Sequence, residues 1–181
     1  MSGAILDGSA RQFPGELTVE ICVIGSGCGG ATAAWELAQG GREVLVLEEG
    51  ADLTGPRLTQ RDGAMYDQLY MDRGGRGTTD LSISVLQGRV LGGGGVINAS
   101  DVVPIADETL AFWQKKFGLT DFSPATLAPF REAALADLHA NLPAEAQVNP
   151  NNRLLRRGAQ ALGWRSEVML HNRVGCAGVG T

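Results

Sequence analysis

Residues 18–50, TVEICVIGSGCGGATAAWELAQGGREVLVLEEG, predict a strand, a tight glycine turn, a helix and a second strand. The short apolar run at residues 19–24 is rich in β-branched side chains, which is typical of a strand buried in a parallel sheet. Glycines then follow in the spacing Gly-x-Gly-x-x-Gly, and the acid Glu48 ends the next strand, Val44–Leu47. This order and length predict a dinucleotide-binding βαβ unit.

Each glycine of this turn has its own physical reason. Gly25 allows the tight turn, Gly27 lets the backbone approach a pyrophosphate, and Gly30 lets the helix pack closely on the sheet. Glycines chosen only for the backbone angles of a strand-to-helix turn are the alternative, but the flanking strands and the acid favour a ligand site. The unpaired N–H groups of the first helical turn would face the phosphates. The predicted pyrophosphate-binding residues are Gly25, Ser26, Gly27, Cys28, Gly29 and Gly30.

Glu48 is predicted to accept a hydrogen bond from a ribose hydroxyl of the adenosine half. A carboxylate at this place disfavours a 2′-phosphate, and no arginine follows it in the sequence Glu49-Gly50-Ala51. NADP is therefore the dinucleotide least expected here.

The composition favours a soluble, globular protein. Of the 181 residues, 44% are hydrophobic and 19% are charged, and no apolar run approaches the length of about 18 residues that suggests a membrane span. The net charge of -5 gives no support to nucleic-acid binding, which needs clustered lysine and arginine. Residues 1–17 lack the features of a secretory signal and are interpreted as a loose N-terminal leader.

The three cysteines are Cys22, Cys28 and Cys176, and they do not form a disulfide framework in a chain of this size. A reducing compartment, the cytoplasm, is the simpler expectation. Cys22 is expected to be a small buried residue on the first strand, and Cys28 to contribute through its backbone.

A second glycine-rich segment, GRVLGGGGVINAS, begins at Gly88. Its four successive glycines lie between the apolar pairs Val90-Leu91 and Val96-Ile97, whereas flexible linkers are usually polar and longer. Glycines let the main chain approach a flat ring or a phosphate without an intervening Cβ atom. Asn98 then offers a donor and an acceptor beside that ligand.

Together, the two segments resemble the N-terminal signatures of the glucose-methanol-choline (GMC) oxidoreductase family, flavoenzymes that oxidise alcohols. The second family signature runs Gly-Arg or Gly-Lys, two residues, Gly-Gly, two small residues, two apolar residues and Asn, and the chain matches it from Gly88 to Asn98. The resemblance implies FAD, with the glycine turn at the pyrophosphate and Glu48 at the ribose. It also implies cofactor contacts from Arg89, Gly92, Gly93, Gly94, Gly95, Asn98 and Ala99.

The resemblance has two local departures. Some members tether the flavin through a histidine immediately before the asparagine, but this chain has Ile97 there, so non-covalent FAD is expected. Residues 101–104 also differ from the family pattern, which leaves the path of that loop open.

The remaining sequence predicts a strand at residues 81–86 and then a largely helical segment. Helices are expected after caps at Asp107, at Ser123 and after residues 149–152, with apolar stripes that form a core. The expected fold is α/β, a Rossmann-like FAD-binding βαβ unit followed by this helical segment, and it is incomplete. The expected division is a leader at 1–17, the FAD-binding part at 18–105, and the start of a substrate-side region at 106–181.

In the resembling family, a histidine takes the hydroxyl proton while hydride moves to the flavin, and that histidine lies in the C-terminal part of a much longer chain. Neither His139 nor His171 fits the role by motif, so no catalytic residue and no metal ligand is assigned. Residues 149–153, Asn-Pro-Asn-Asn-Arg, followed by a predicted helix, are similar to the branch of the family with long-chain alcohol and sterol oxidising members. In that branch a loop like the one at Cys176 usually continues to further cysteines, but a plain thiol is favoured here over a metal site.

Two functions remain open from the sequence. The first is the FAD-binding part of an alcohol oxidoreductase, with a small-molecule alcohol and the remainder of a longer chain as partners. The second is a non-catalytic Rossmann-like fragment that binds a nucleotide or a partner chain. The second glycine run favours the first function, because a simple NAD-binding module does not need it.

Overall fold

The computed structural model describes residues 3–8, 15–59 and 61–175. The chain divides into two compact units, Met1–Asn98 and Ala99–Thr181, and each is described by itself. Cys176, discussed above as a loop thiol, lies outside the described residues.

The first unit is built on a βαβ motif. Strand β1, Ile21–Ile24, leads through the glycine turn into helix α1, Cys28–Gln39, and the chain returns in strand β2, Val44–Leu47. The two strands are parallel, with Ile21 opposite Val44 and Ile24 opposite Leu47. The predicted strand, turn, helix and strand are confirmed, and with them the α/β fold class.

The prediction that β1 is buried, with Cys22 as a buried side chain, is wrong. Cys22 is exposed, and the side chain of Ile24 is 86% exposed. The cause is the two-stranded sheet, in which the burial of β1 alternates. Ile21 and Val23 are half-buried, and Val23 lies close to Gly30 of α1, while Cys22 and Ile24 point to the opposite, uncovered face.

The core of the first unit comes largely from a segment that the sequence pattern does not assign. Helix α2, Asp62–Leu69, carries buried side chains on the face that meets residues 90–97. The buried core residues are Leu53, Met65, Leu69 and Val90, and Tyr70, Val96 and Ile97 pack against them.

Residues 71–87 form a hairpin-like excursion, which we call the 71–87 hairpin. It is closed at its base by an antiparallel bridge between Tyr70 and Gly88. The strand predicted at residues 81–86 is wrong, since only a bridge between Gly77 and Ser84 forms there. The reason is a tight turn at the tip, where Leu81 has φ +57 and is 82% exposed.

Up to residue 175, where the description ends, the second unit contains three α-helices, a short 3-10 helix at Glu145–Gln147 and a short antiparallel ladder. The elements are β3 (Asp101–Val102), α3 (Asp107–Phe117), α4 (Pro124–Asp137), α5 (Pro150–Ala161) and β4 (Leu170–His171), with Asp101 opposite His171.

The predicted helix ends are largely confirmed. Ser123 Oγ accepts a hydrogen bond from Thr126 N at 3.0 Å, and Asn149 Oδ1 accepts one from Asn152 N at 2.8 Å. Gly118 ends α3 in a left-handed conformation. Asp107 differs slightly, because it is the first helical residue rather than the cap.

The prediction that the apolar helix stripes form a core is confirmed at Leu110, which is fully buried. It is wrong at Phe117, Phe130 and Leu155, which are exposed. A helical apolar stripe indicates a face that can be buried, but burial also requires a second element to cover it. Among the residues that the structure describes, no helix is long and apolar enough to cross a membrane.

Candidate dinucleotide-binding site

The glycine turn, residues 25–30, has the geometry that its spacing predicts. Gly25 has φ +92 and donates a backbone hydrogen bond to Leu47 O at 2.7 Å, so the turn is tied to the end of β2. A Cβ atom placed on Gly30 would overlap the carbonyl oxygen of Gly25. Gly30 therefore allows α1 to begin directly against the turn.

The opposite side of the turn is open. A Cβ atom on Gly27 or on Gly29 would meet no atom within 4 Å. Gly27 is the N-cap of α1, and within the described chain no side chain caps this helix and no acid lies in its first turn. The helix terminus can therefore donate backbone N–H groups to an anion that approaches from this side.

The second glycine run, residues 92–95, lies against the first. A Cβ atom on Gly93 would stand 2.8 Å from the Cα atom of Gly27, and one on Gly95 would stand 3.2 Å from Cys28 Sγ. Gly92 and Gly93 both have positive φ, at +97 and +54. Two segments that are remote in sequence thus meet closely, and at Gly93 and Gly27 they meet backbone to backbone.

Two further glycines hold the second run in place. A Cβ atom on Gly88 would overlap the carbonyl oxygen of Gly93, and one on Gly50 would overlap the backbone of Val90. Leu91 N also donates to Ala51 O at 3.1 Å. The segment after β2 is therefore packed backbone to backbone against the start of the second run.

Glu48 is the polar centre of this surface. Its Oε2 atom accepts hydrogen bonds from Ser26 N at 2.9 Å and from Ser26 Oγ at 2.6 Å. Its Oε1 atom accepts one from Gly50 N at 2.7 Å. Ser26 Oγ in turn accepts a hydrogen bond from Gly92 N at 2.9 Å.

These bonds keep Glu48 ionised. Partial burial raises the pKa of Glu48, but the hydrogen bonds from the Ser26 side chain, the Ser26 backbone and the Gly50 backbone outweigh that effect. The pKa of Glu48 therefore lies below its ordinary value. An ionised carboxylate accepts hydrogen bonds and donates none, which suits it to a hydroxyl ligand.

A cleft of about 370 Å³ opens at this surface, and we call it the glycine cleft. This volume falls within the range of small-molecule sites. Its walls are the end of β1, the glycine turn, the end of β2 and the second glycine run. The lining residues are Ile24, Gly25, Gly27, Leu47, Glu48, Glu49, Gln87, Gly88, Gly93 and Gly94.

The structure thus brings Gly25, Gly27, Glu48, Gly93 and Gly94 together, and it places other predicted site residues elsewhere. Ser26 is 6% exposed, and its N–H and hydroxyl groups bond to Glu48. Gly92 donates its N–H group to Ser26. Cys28 and Gly29 lie exposed in the first turn of α1, Gly30 packs on Gly25, and Gly95 lies over Cys28.

Three predicted residues, Arg89, Asn98 and Ala99, are not among those that line the glycine cleft. Arg89 Nε lies 3.5 Å from Glu49 Oε2 and lines a smaller cleft with Gln68. Asn98 Nδ2 donates to Gly95 O. Ala99 begins the second unit, and its carbonyl oxygen accepts a hydrogen bond from Arg173 at 2.8 Å.

Sequence reasoning missed Gly50, Gln87, Gly88 and Glu49 as parts of this site. Gly50 follows directly after the acids that end β2, and Gly88 opens the second signature, so a signal was present for both. Glu49 is the second of these acids, whereas Gln87 carries no such signal. Gln87 reaches the cleft because it directly precedes Gly88, whose backbone packs against Gly93.

A βαβ unit with an uncapped helix terminus and a glycine-lined cleft defines a dinucleotide-binding protein. The model of the GMC oxidoreductase family matches residues 66–181, and that of an NAD(P)-binding Rossmann-like domain matches residues 23–85. The first match covers more than half of the chain, so the chain belongs to the GMC oxidoreductase family. This confirms the resemblance, and the two matches together indicate a dinucleotide cofactor.

Several relatives match most of the chain. A long-chain-alcohol oxidase of Arabidopsis thaliana is 28% identical over 148 residues, which is 82% of this chain and 20% of the relative. A GMC-type oxidoreductase of Sinorhizobium fredii is 28% identical over 166 residues, 90% of this chain and 32% of the relative. One of Mycobacterium tuberculosis is 33% identical over 174 residues, 93% of this chain and 27% of the relative. The chain therefore spans between a fifth and a third of the length of these relatives.

The fold also matches a solved structure. Pyridoxine 4-oxidase from Mesorbium loti superposes with a TM-score of 0.66 at 19% identity, over 87% of this chain and 37% of that chain. At this identity the match shows the fold alone, and it agrees with the α/β class described above.

Proposed function

We propose that this chain is the FAD-binding part of an oxidoreductase that acts on CH–OH groups of alcohols. The observation that carries the proposal is the single cleft in which the glycine turn, Glu48 and the second glycine run meet. FAD presents a pyrophosphate, a ribose and a flat ring system. These three parts suit a helix N-terminus, a carboxylate and a backbone surface without Cβ atoms, respectively.

The roles of the residues follow from what each group can still bond. The N–H groups at Gly27, Cys28 and Gly29 would bind the pyrophosphate, since that side of the turn is open. Both acceptor positions of Glu48 Oε2 are used by Ser26, so a ribose hydroxyl would bond to Oε1. Gly93 and Gly94 would face the ring system, with Ile97 packed in the core and no side chain there to form a covalent link.

FAD, when bound, supplies the acceptor for the hydride that leaves the alcohol carbon. This chain contributes binding, orientation and a backbone surface against which the ring can lie. We assign no proton acceptor within it. His171 Nδ1 accepts a hydrogen bond from Arg173 N at 3.0 Å, which is a structural role, and His139 is exposed after α4.

The substrate and context are proposed from the relatives and the composition. Several relatives are long-chain-alcohol oxidases, so we propose a long-chain primary alcohol as the substrate class. The proton-accepting histidine would lie in a part of the protein beyond the matched segment. We also propose a cytoplasmic location, with residues 18–105 binding FAD and residues 106–181 beginning the substrate-side region.

Alcohol-dependent bleaching tests this function. The natural gene product, loaded with FAD and kept without oxygen, should lose its visible flavin absorbance when a long-chain primary alcohol is added. A secondary test omits the alcohol, and the absorbance should then persist. A gene product that takes up no FAD would contradict the proposal and favour the non-catalytic Rossmann-like fragment.

A further inference from the structure

Ser26 is the one buried polar residue in the part of the chain that the structure describes, and its hydroxyl joins three separate segments. It donates to Glu48 Oε2 at 2.6 Å, which lies at the end of β2, and it accepts from Gly92 N at 2.9 Å, in the second glycine run. Ser26 itself belongs to the glycine turn. These partners are 22 and 66 residues away in sequence.

The directions of both hydrogen bonds are determined by the partners. A serine hydroxyl has one hydrogen and two acceptor positions. The Gly92 N–H group can only donate, and an ionised carboxylate can only accept, so the hydroxyl must receive from Gly92 and give to Glu48. No rotation of the hydroxyl satisfies either partner better.

Contacts that do not involve the Ser26 hydroxyl also hold this region together. Gly93 lies against Gly27 without room for a Cβ atom, and Gly50 N separately fixes Glu48 Oε1. The Ser26 N–H group also bonds to Glu48 Oε2. Removing the hydroxyl would therefore leave the turn in place, while it would free one bond of Glu48 and the N–H group of Gly92.

We propose that Ser26 is a positioning residue that couples the ribose end of the glycine cleft to its ring end. Through one hydroxyl it orients the Glu48 carboxylate and holds the second glycine run against the glycine turn. This inference rests on the proposed function, since the ligand whose two ends are coupled is FAD.

The test compares Ser26→Ala with a matched control, Ser82→Ala. Ser82 Oγ also donates to a carboxylate, that of Asp80 at 2.9 Å, but in the exposed 71–87 hairpin and away from the glycine cleft. Each variant loses one hydroxyl that is bonded to a carboxylate. A difference between the two variants therefore shows the effect of the position of that bond in the glycine cleft, and not the effect of losing a serine hydroxyl in general.

The first readout needs no cofactor. In the FAD-free natural protein, Ser26→Ala should raise the pKa of Glu48 and speed hydrogen exchange at the Gly92 amide by about tenfold or more, because a charged hydrogen bond and its neighbour are lost. Ser82→Ala should change neither. Unchanged exchange at Gly92 in Ser26→Ala would overturn the coupling.

The second readout is FAD affinity in two backgrounds. Ser26→Ala should weaken FAD binding by about tenfold or more in the wild-type background, and by less in a Glu48→Gln background, because the part of its effect that passes through the Glu48 carboxylate is then already lost, while the bond to Gly92 is still removed. Because the pKa of Glu48 should be higher in Ser26→Ala, the pH below which FAD binding is lost should also be higher in this variant than in wild type. The charged groups beside Glu48, which are Glu49 and its partner Arg89, are the same in every variant.

The outcomes separate the two proposals. An equal loss of affinity in both backgrounds, or a loss below about twofold, would overturn the positioning role. A wild-type protein that binds no FAD would contradict the proposed function instead, and the exchange and titration readouts would then decide the Ser26 link on their own.

Discussion

Gly29 and Gly30 are neighbours in the first turn of α1, yet a methyl group at each would meet different surroundings. On Gly30 it would overlap the carbonyl oxygen of Gly25, whereas on Gly29 it would meet nothing within 4 Å. We expect Gly30→Ala to lower the free energy of unfolding by about 1–3 kcal/mol or more, the usual range for overpacking. Gly29→Ala should leave it unchanged or raise it by up to about 1 kcal/mol, since alanine favours the helix.

Denaturant unfolding of the two variants measures this difference. Equal free energies of unfolding for Gly29→Ala and Gly30→Ala would contradict the packing assigned to the glycine turn. Because both changes add the same methyl group to adjacent helical positions, differences in hydrophobicity or helix propensity cannot produce the predicted contrast.

The ionisation of Glu48 should make stability depend on pH. Its pKa in the folded protein lies below the ordinary value that applies to the unfolded chain. The hydrogen bonds from Ser26 and Gly50 therefore stabilise the fold above that ordinary value, and this contribution is lost as pH falls through the lowered pKa. Stability measured from neutral to acid pH should fall less steeply in Glu48→Gln than in wild type. Parallel curves would contradict the assignment.

At the residue scale, the sequence was sufficient to predict a local feature where only one residue type fits the required backbone geometry. The spacing predicted the tight turn at Gly25 and the close packing at Gly30 correctly. It could not predict that Ser26 and Gly50 bond to Glu48, because those bonds depend on how the turn and the end of β2 meet in space. The sequence motif identifies Glu48 as the acid, but the groups that donate hydrogen bonds to its carboxylate oxygens are determined by the tertiary structure.

At the scale of elements, the tip of the 71–87 hairpin is held by one carboxylate. Asp80 Oδ1 accepts hydrogen bonds from Thr78 Oγ1 at 2.5 Å and from Ser82 N at 3.2 Å. The Thr78 side chain, with Ser82, lowers the pKa of Asp80 to about 2. The turn should therefore keep this stabilisation from neutral pH down to the ordinary pKa of an aspartate, and lose it between there and about 2.

A carboxyl-carbon NMR titration of Asp80 measures this directly. We expect a midpoint near 2 in wild type and a clear rise in Thr78→Val, which removes the donor and keeps the shape of the side chain. An ordinary aspartate midpoint in wild type would show that the turn at the tip is not formed.

The elements of the second unit could be predicted from local signals, and those of the hairpin could not. Ser123-Pro124, Asn149-Pro150 and Gly118 mark helix ends through capping chemistry that acts within a few residues. Residues 81–86 alternate like a strand, but a strand also needs a partner along its length, and here the Asp80 turn intervenes. Helix α2 was missed because it is only eight residues long and only two of its side chains, Met65 and Leu69, are buried, which is too few to show a helical period.

At the scale of the whole molecule, the chain carries the glycine cleft together with exposed apolar side chains. Ile24 on β1, Trp35 on α1 and Phe130 on α4 are all exposed. The relatives that match are three to five times longer than the matched segment. The sequence could not predict which apolar faces are exposed, because the periodicity of apolar residues identifies a face that can be buried but not the element that would cover it.

The most direct test of the central claim is the flavin content of the natural gene product with and without a side chain in the glycine cleft. A Cβ atom on Gly94 meets nothing within 4 Å, so Gly94→Leu should fold while its side chain occupies the space assigned to the ring. Gly158→Leu, equally open but on α5, is the control.

We predict that the wild type and Gly158→Leu are purified yellow, with FAD that is released on denaturation, and that Gly94→Leu is colourless with FAD affinity reduced by about tenfold or more. A Gly94→Leu protein that holds as much FAD as the wild type would contradict the claim that this cleft binds the cofactor.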